Sequence, residues 1–474
     1  MTISKYVYRQ LTTTSVKLNS MNLTSARLFF VGTLVILAMT GCKKNHGNEQ
    51  QSDVRDLNAE LRAALDESSN GEGFQYYLLP ESYQYSLIPQ DPLNPLNNTK
   101  VELGKLLFHE TGIGSNPRMD DYGMQTYSCA SCHHAQGGFQ ANIRQGIGEG
   151  GIGFGMAGEG RVAHPGYPVD SLDVQPIRTP TAMNGAYQKV TLWNGQFGGV
   201  GMNIGTESQW SPGTPIFNNN FGHEGLETQA IAGLTVHRMV VDEQMCQEFG
   251  MYEDLFDIAF PNWPESTRYT ARTAGMAIAA YERTLLSNQA PWQDWLRGNT
   301  SAMSDSEKRG AIAFFGRANC GSCHNGPALN SMSFHAIGMG DLTGAGIVNG
   351  NDNDLGRGGF TQNPEDDYKF KTPQLYNLRD SPFYGHGGTF TSVREVIEYK
   401  NNAVPESGNV PETQLAESFQ PLGLTDQEVN DLTNFIEYAL YDANLMRYAP
   451  GAVPSGNCFP NNDAISIIDQ GCME

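Results

Sequence analysis

Positive charge is scarce in this chain. Lysine and arginine together number 30 against 51 aspartates and glutamates, for a formal charge of −21. Nucleic acid is thereby excluded as a partner, because binding it rests on neutralising phosphates. The acidic surface suits a basic redox partner through electrostatic steering, or solubility alone. Long hydrophobic runs are missing as well. The most apolar stretch, Leu28 to Met39, is too short to span a bilayer stably. Strand signals are sparse, and no βαβ pattern surrounds any cysteine, which excludes a thioredoxin-like dithiol. Charged residues make up only 17%, yet hydrophobic residues reach 39%, so the chain is globular rather than disordered. Its 474 residues suit two or three domains.

What the chain does contain is Cys-x-x-Cys-His, twice: Cys129-Ala-Ser-Cys132-His133 and Cys320-Gly-Ser-Cys323-His324. Two thiols at this spacing can add to the two vinyl groups of one haem, and the adjacent histidine then serves as proximal iron ligand. Half a zinc site is the competing reading, but zinc needs four ligands and each motif already ends in its own histidine. Two covalent haems c are therefore expected, one on each motif. The 53 glycines fit a loop-rich protein wrapped around such cofactors.

The N-terminus reads as an export signal. Arg27 precedes the apolar run, which ends in Met39-Thr40-Gly41-Cys42, similar to a bacterial lipoprotein box, and Met21 can serve as the start. Residues 1–42 form the signal segment. Lipidation of Cys42 would hold the protein on a membrane surface, in the cell envelope, facing the periplasm or the cell exterior. An ordinary cleaved signal is the alternative. Residues 43 to about 75 are polar and are expected to form a flexible tether. Cys246, Cys458 and Cys472 remain; Cys458 with Cys472, or Cys246 with either, can pair in an oxidising compartment.

The chain carries a loose duplication, with a helix-like approach before each haem motif. Val101 to Phe108 leads toward Cys129. Ser304 and Glu307 form a capping box opening a helix through Ala311 and Phe314 toward Cys320. A further helix is predicted from Ser266 to about Leu286, with Ala274, Ala277, Ile278, Tyr281 and Leu285 on one stripe. Thr425 and Glu428 cap another, with Val429, Leu432, Phe435, Ile436 and Leu440 at helical period. The glycine-rich run 146–160 formally contains G-x-G-x-x-G at Gly146, Gly148 and Gly151. No strand precedes it and no helix follows, so it reads as a flexible loop near the first haem.

From about Val101 to Tyr441 the sequence resembles the bacterial di-haem cytochrome c peroxidases, a family that includes the di-haem oxidase of methylamine utilisation. The resemblance lies in ordered blocks around the two haem motifs: Leu103 to Phe108, Arg178-Thr179-Pro180-Thr181 with Asn184, Leu192-Trp193-Asn194-Gly195 and Leu226 to Ala230. Then come Tyr281 to Leu285, Asp354-Leu355-Gly356-Arg357, Phe370 to Pro373 and Pro382 to Gly388. It implies a mainly α fold of two cytochrome-c-like domains, each with one covalent haem c, joined by long loops. The expected divisions are 43–95 as tether and N-terminal extension, 96–287 and 288–450 as the two haem domains, and 451–474 as a tail. It implies reduction of hydrogen peroxide to water with electrons from a small cytochrome or copper protein. The family often dimerises. His133 would then be proximal on the peroxidatic haem, His324 on the electron-transfer haem, and Trp193 an electron relay between them.

The match departs from the family at three places. Gln229 matches a distal-pocket glutamine, but the distal glutamate expected about ten residues later is missing; the stretch reads Leu234 to Val240 without a carboxylate. His237 can act there as acid–base group with Arg238 stabilising the leaving oxygen, or His237 can ligate the iron, or be structural. His164 is another resting-state ligand to consider. At the second haem the family places Met or Tyr as sixth ligand, and by position Lys400 takes that place, with Tyr399 and Met339 as alternatives. Finally, the family holds calcium between its domains. Asp380 and the Pro382 carbonyl lie where ligands are expected, but an asparagine position is Arg178, which supplies no oxygen. Two other readings stay open: a di-haem oxidase or oxygenase acting on an organic or protein substrate, and a di-haem electron carrier or sensor without turnover.

Overall fold

The computed structural model describes residues 55–472; Cys42 and the signal segment lie outside them. The framework helices are α1 (Leu57–Ser68), α2 (Asn98–His109), α3 (Gly225–Val236), α4 (Ala271–Glu282), α5 (Asp305–Phe315), α6 (Val393–Asn402) and α7 (Asp426–Asn434). Among the described residues, strands form only two short antiparallel pairs, Gly151–Ile152 with Val162–Ala163 and Phe334–His335 with Phe370–Lys371. No helix of the described residues is long and apolar enough to cross a membrane.

The helix starts follow their local signals. The Ser304 and Thr425 side chains accept from the Glu307 and Glu428 amides, and both glutamates reach back to the cap residue. The predicted 266–286 helix breaks in two: a short turn, Glu265–Arg268, precedes α4, which starts at its own Thr270–Thr273 capping box. After α7 the chain widens into a π-type turn over Phe435–Ala439 before Leu440.

Two cores form. The first joins Leu103, Leu107 and Phe108 of α2 to Leu234 of α3 and to Ala274, Ala277 and Ile278 of α4. The second joins Ala311 and Phe314 of α5 to Val429 and Leu432 of α7, around the stacked Trp292 and Trp295. Each is sealed by a helix crossing at glycine. A Cβ at Gly104 would run into the Ala277 carbonyl, and one at Gly310 into the Asp431 carbonyl. The same device thus closes both halves.

The chain ends are exchanged between the halves. Leu61 and Leu65 of α1, with Tyr77 and Leu79, belong to the second core. The expected tether is therefore not free from residue 57 onward. Asp56 caps α1, and one narrow apolar stripe in a polar segment is enough to dock it. The tail, closed by a Cys458–Cys472 disulfide, lies on the first half. Its Pro460 carbonyl accepts from the Ser128 and Ser131 hydroxyls at 2.9 and 3.1 Å. Asp469 accepts from the Phe154 and Gly155 amides. Cys246 is free and buried.

Candidate functional site

The haem-motif histidines are set by what their Nδ1 atoms do. His133 Nδ1 lies 3.1 Å from the Phe139 carbonyl, and His324 Nδ1 lies 3.0 Å from that of Pro373. A ring N–H committed to a carbonyl leaves Nε2 as the lone-pair nitrogen, the arrangement an iron ligand needs. Burial pushes both imidazoles down to about 4, so each is neutral at physiological pH. Cys129, Cys132, Cys320 and Cys323 are all unpaired. The residues fit a covalent haem at each motif.

One cavity of about 270 Å³ is lined by both histidines, with Trp193 in its wall. Trp193 is held at Nε1 by the Arg178 carbonyl (2.8 Å), and its own carbonyl accepts from the Lys371 amide (2.7 Å). Its ring lies 6.4 Å from that of His386, which stacks on Phe370 at 3.7 Å and bonds Asp341. Several sequence blocks that looked independent turn out to be partners. Arg283 pairs with Glu227 at 2.7 Å, both side chains fully buried. Arg357 reaches the Asn194 carbonyl at 3.2 Å.

On the His133 side, Gln229 lines the cavity, as does Glu282. Glu282 ends α4; burial pushes its carboxyl up to about 8, so it holds a proton at neutral pH. In the sequence Glu282 is only one member of the Tyr281 to Leu285 block, and nothing local marks it for a role. His237 caps the C-terminus of α3, and its Nδ1 bonds the Asp173 carboxylate at 2.9 Å. Burial alone would lower the His237 pKa, but the Asp173 charge and hydrogen bond outweigh it and raise the value. Its side chain remains 36% exposed, so Nε2 is available. Arg238 is less free than expected. Its guanidinium pairs with Glu149, which is fully buried and also accepts from the Tyr167 hydroxyl and the Arg118 amide. Carboxylates do meet the 234–240 stretch, but they are Asp173 and Glu149 from the loop region, and neither lines the cavity. Glu149 sits inside the glycine-rich run, which is pinned rather than loose: Arg161 donates to the Ile147 and Gly148 carbonyls and pairs with Asp463 of the tail.

His164 is not brought to the cavity. Its ring lies tilted against that of Tyr122, centroids 4.4 Å apart, and its Nδ1 accepts from the Gly166 amide. On the His324 side, Lys400 and Met339 line the cavity together with His335, whose Nε2 lies 3.5 Å from the Cys323 sulfur. Burial lowers the Lys400 pKa, easing the neutral amine that binds iron. Tyr399 points away, its hydroxyl donating to the Ile337 carbonyl. Asp380 accepts from Asn377 at 3.2 Å, and among the described residues no cluster of three or more His, Cys, Asp or Glu side chains could hold a metal ion. At the upstream position Arg178 supplies no oxygen, and its guanidinium bonds Ser381 and the 140–143 segment.

Residues 98–301 match the family model for di-haem cytochrome c peroxidases. Over these residues the chain is similar to that family. It is 28% identical over 414 residues to the methylamine utilization protein MauG of Methylorubrum extorquens, covering 86% of this chain and 90% of the relative. It is 27% identical to the cytochrome-c peroxidase IdrP1 of Pseudomonas sp. strain SCT, covering 74% and 82%. Among solved structures, a MauG-like protein associated with microbial copper homeostasis aligns with a TM-score of 0.55 at 21% identity, covering 78% of this chain and 96% of that one. The family is an enzyme family of peroxidase and oxidase type that uses haem c.

Proposed function

We propose that the protein is a di-haem c-type peroxidase that reduces hydrogen peroxide to water with electrons from a small redox protein. One observation carries this reading: the two ends of the shared cavity are chemically unequal. From the N-terminal half, the described lining residues include no histidine beyond His133, and no Met, Lys or Cys. At the other end His324 is accompanied by Lys400, Met339 and His335. One open site and one ligand-rich site is the division of labour a peroxidase needs. When bound, haem supplies the redox-active iron at each motif.

Reducing one peroxide consumes two electrons and two protons and yields two waters. The chain supplies the proton handling. His237, held by Asp173 and outside the residues that line the cavity, can take a proton at Nε2 and return it, while Glu282 starts protonated inside the cavity. Gln229 offers an amide to orient the substrate. Trp193 lines the cavity that both histidines share and relays the electron. Location in the cell envelope, anchored through lipidated Cys42, belongs to the same proposal.

The test is peroxide consumption by haem-loaded protein, oxidised and half-reduced, with a reduced small cytochrome as donor. Rapid turnover supports the peroxidase. Its absence in both states sinks it, and persistent low-spin spectra at both irons would point to an electron carrier. A second reading, oxidation of an organic or protein substrate, is favoured by the MauG relative, which spans more of this chain than the peroxidases do. Product analysis separates the two.

A further inference from the structure

Between Asp380 and Pro382, where the resemblance expects calcium ligands, Ser381 binds a guanidinium. The Arg178 guanidinium donates to the Ser381 hydroxyl at 2.8 Å, the Ala141 carbonyl at 3.1 Å, the Ile143 carbonyl at 3.1 Å and the Gln140 side-chain oxygen at 3.4 Å. These are neutral oxygens of the kind that coordinate a hard cation. Three come from the loop after the first haem motif and one from the segment before His386, so the contacts join the two halves. Arg178 is only 2% exposed, and among the described residues no carboxylate pairs with it. A buried charge without a counter-ion is costly unless oxygen dipoles surround it, and here they do. Burial lowers its pKa only to about 10, so the group stays charged at neutral pH.

Its backbone ties the same place to the redox path. The Arg178 amide donates to the His386 carbonyl at 2.8 Å, and its carbonyl accepts from Trp193 Nε1.

We propose that Arg178 is a built-in cation that replaces the inter-domain calcium, clamping the two haem halves around Trp193 and making this chain independent of calcium. Arg178 is a positioning residue. Part of it lines the shared cavity, but its guanidinium is spent on the four oxygens named above.

The test uses the full haem-loaded protein. Calcium content is measured after dialysis against a chelator, and the melting temperature and haem spectra are followed with chelator and with millimolar calcium chloride. The wild type is expected to hold less than stoichiometric calcium and to show no shift in either condition. Arg178→Asn restores an oxygen donor and frees the others. It is expected to melt several degrees lower and to regain part of that loss on calcium addition, while Arg178→Lys melts between the two and ignores calcium. Stoichiometric calcium in the wild type, or a fall in its melting temperature on chelation, overturns the proposal. These readouts do not depend on peroxide turnover, so they stand apart from the functional reading. The wild-type arms decide it even where a variant fails to fold.

Discussion

Trp193 and Arg178 are locked together: the indole Nε1–H donates to the Arg178 carbonyl at 2.8 Å, in the wall of the cavity that His133 and His324 share. A tryptophan needed only for packing would tolerate a smaller aromatic. Trp193→Phe keeps a ring but loses both the hydrogen bond and the more easily oxidised indole. The fold and both haem spectra should survive, while turnover falls by about tenfold or more, equivalent to about 1.4 kcal/mol in the barrier. Rapid-mixing of half-reduced protein with peroxide reads this directly. Unchanged kinetics would reduce Trp193 to a packing residue.

Proton handling should leave a bell in the pH profile of kcat/KM. The Asp173 carboxylate raises the His237 pKa, so His237 becomes a free base only as pH rises past the ordinary histidine value. Glu282 keeps its proton up to about 8 because burial penalises its charged form. Activity should therefore rise on the acid side with His237 and fall on the alkaline side with Glu282. His237→Ala is expected to cost roughly 10²–10⁴-fold in kcat. Glu282→Gln should remove the alkaline limb. A limb that survives in Glu282→Gln assigns it to another group.

Lys400 should ligate the second iron. It lines the cavity beside His324, and burial lowers its pKa toward the neutral amine. Lys400→Ala should convert that haem's spectrum and shift its potential, while leaving the first haem's spectrum alone. Tyr399→Phe is the control: it removes the bond to the Ile337 carbonyl and about 1 kcal/mol of stability, with no change in ligation. Identical spectra for wild type and Lys400→Ala would hand the ligand role to Met339 or His335.

Legibility followed distance along the chain. The haem motifs are complete within five residues, and the capping boxes at Ser304 and Thr425 within four, so local chemistry announces them. The carboxylates that serve α3 were invisible for the opposite reason. Asp173 lies 64 residues before His237, and Glu149 lies 89 before Arg238. Glu149 also sits in a glycine run whose composition suggests only looseness. The exchanged chain ends were hidden in the same way, because a stripe as narrow as Leu61 and Leu65 does not say which core it enters.

Helix crossings give a prediction that needs no cofactor argument. At Gly310 an added Cβ meets the Asp431 carbonyl, a backbone atom that cannot swing away. Gly310→Val must push α5 from α7 and should cost on the order of 1–3 kcal/mol or more. The melting temperature should fall, with the second haem's spectrum disturbed before the first's. An unshifted melt would mean that the helices slide apart freely.

The tail should matter to the first haem, although it is the most distant segment in sequence. The Cys458–Cys472 disulfide, at a separation of 14 residues, encloses Pro460, Asp463 and Asp469. These bond Ser128, Ser131, Arg161 and the glycine-rich loop. Closing a loop of about 15 residues is worth about 3 kcal/mol on chain-entropy grounds. Cys458→Ser with Cys472→Ser should therefore lower the melting temperature. Because the described tail residues bond the first half, the loss should appear at the His133 haem and spare the His324 haem. Site-resolved haem spectra during a thermal ramp distinguish this from general weakening, in which both haems would change together.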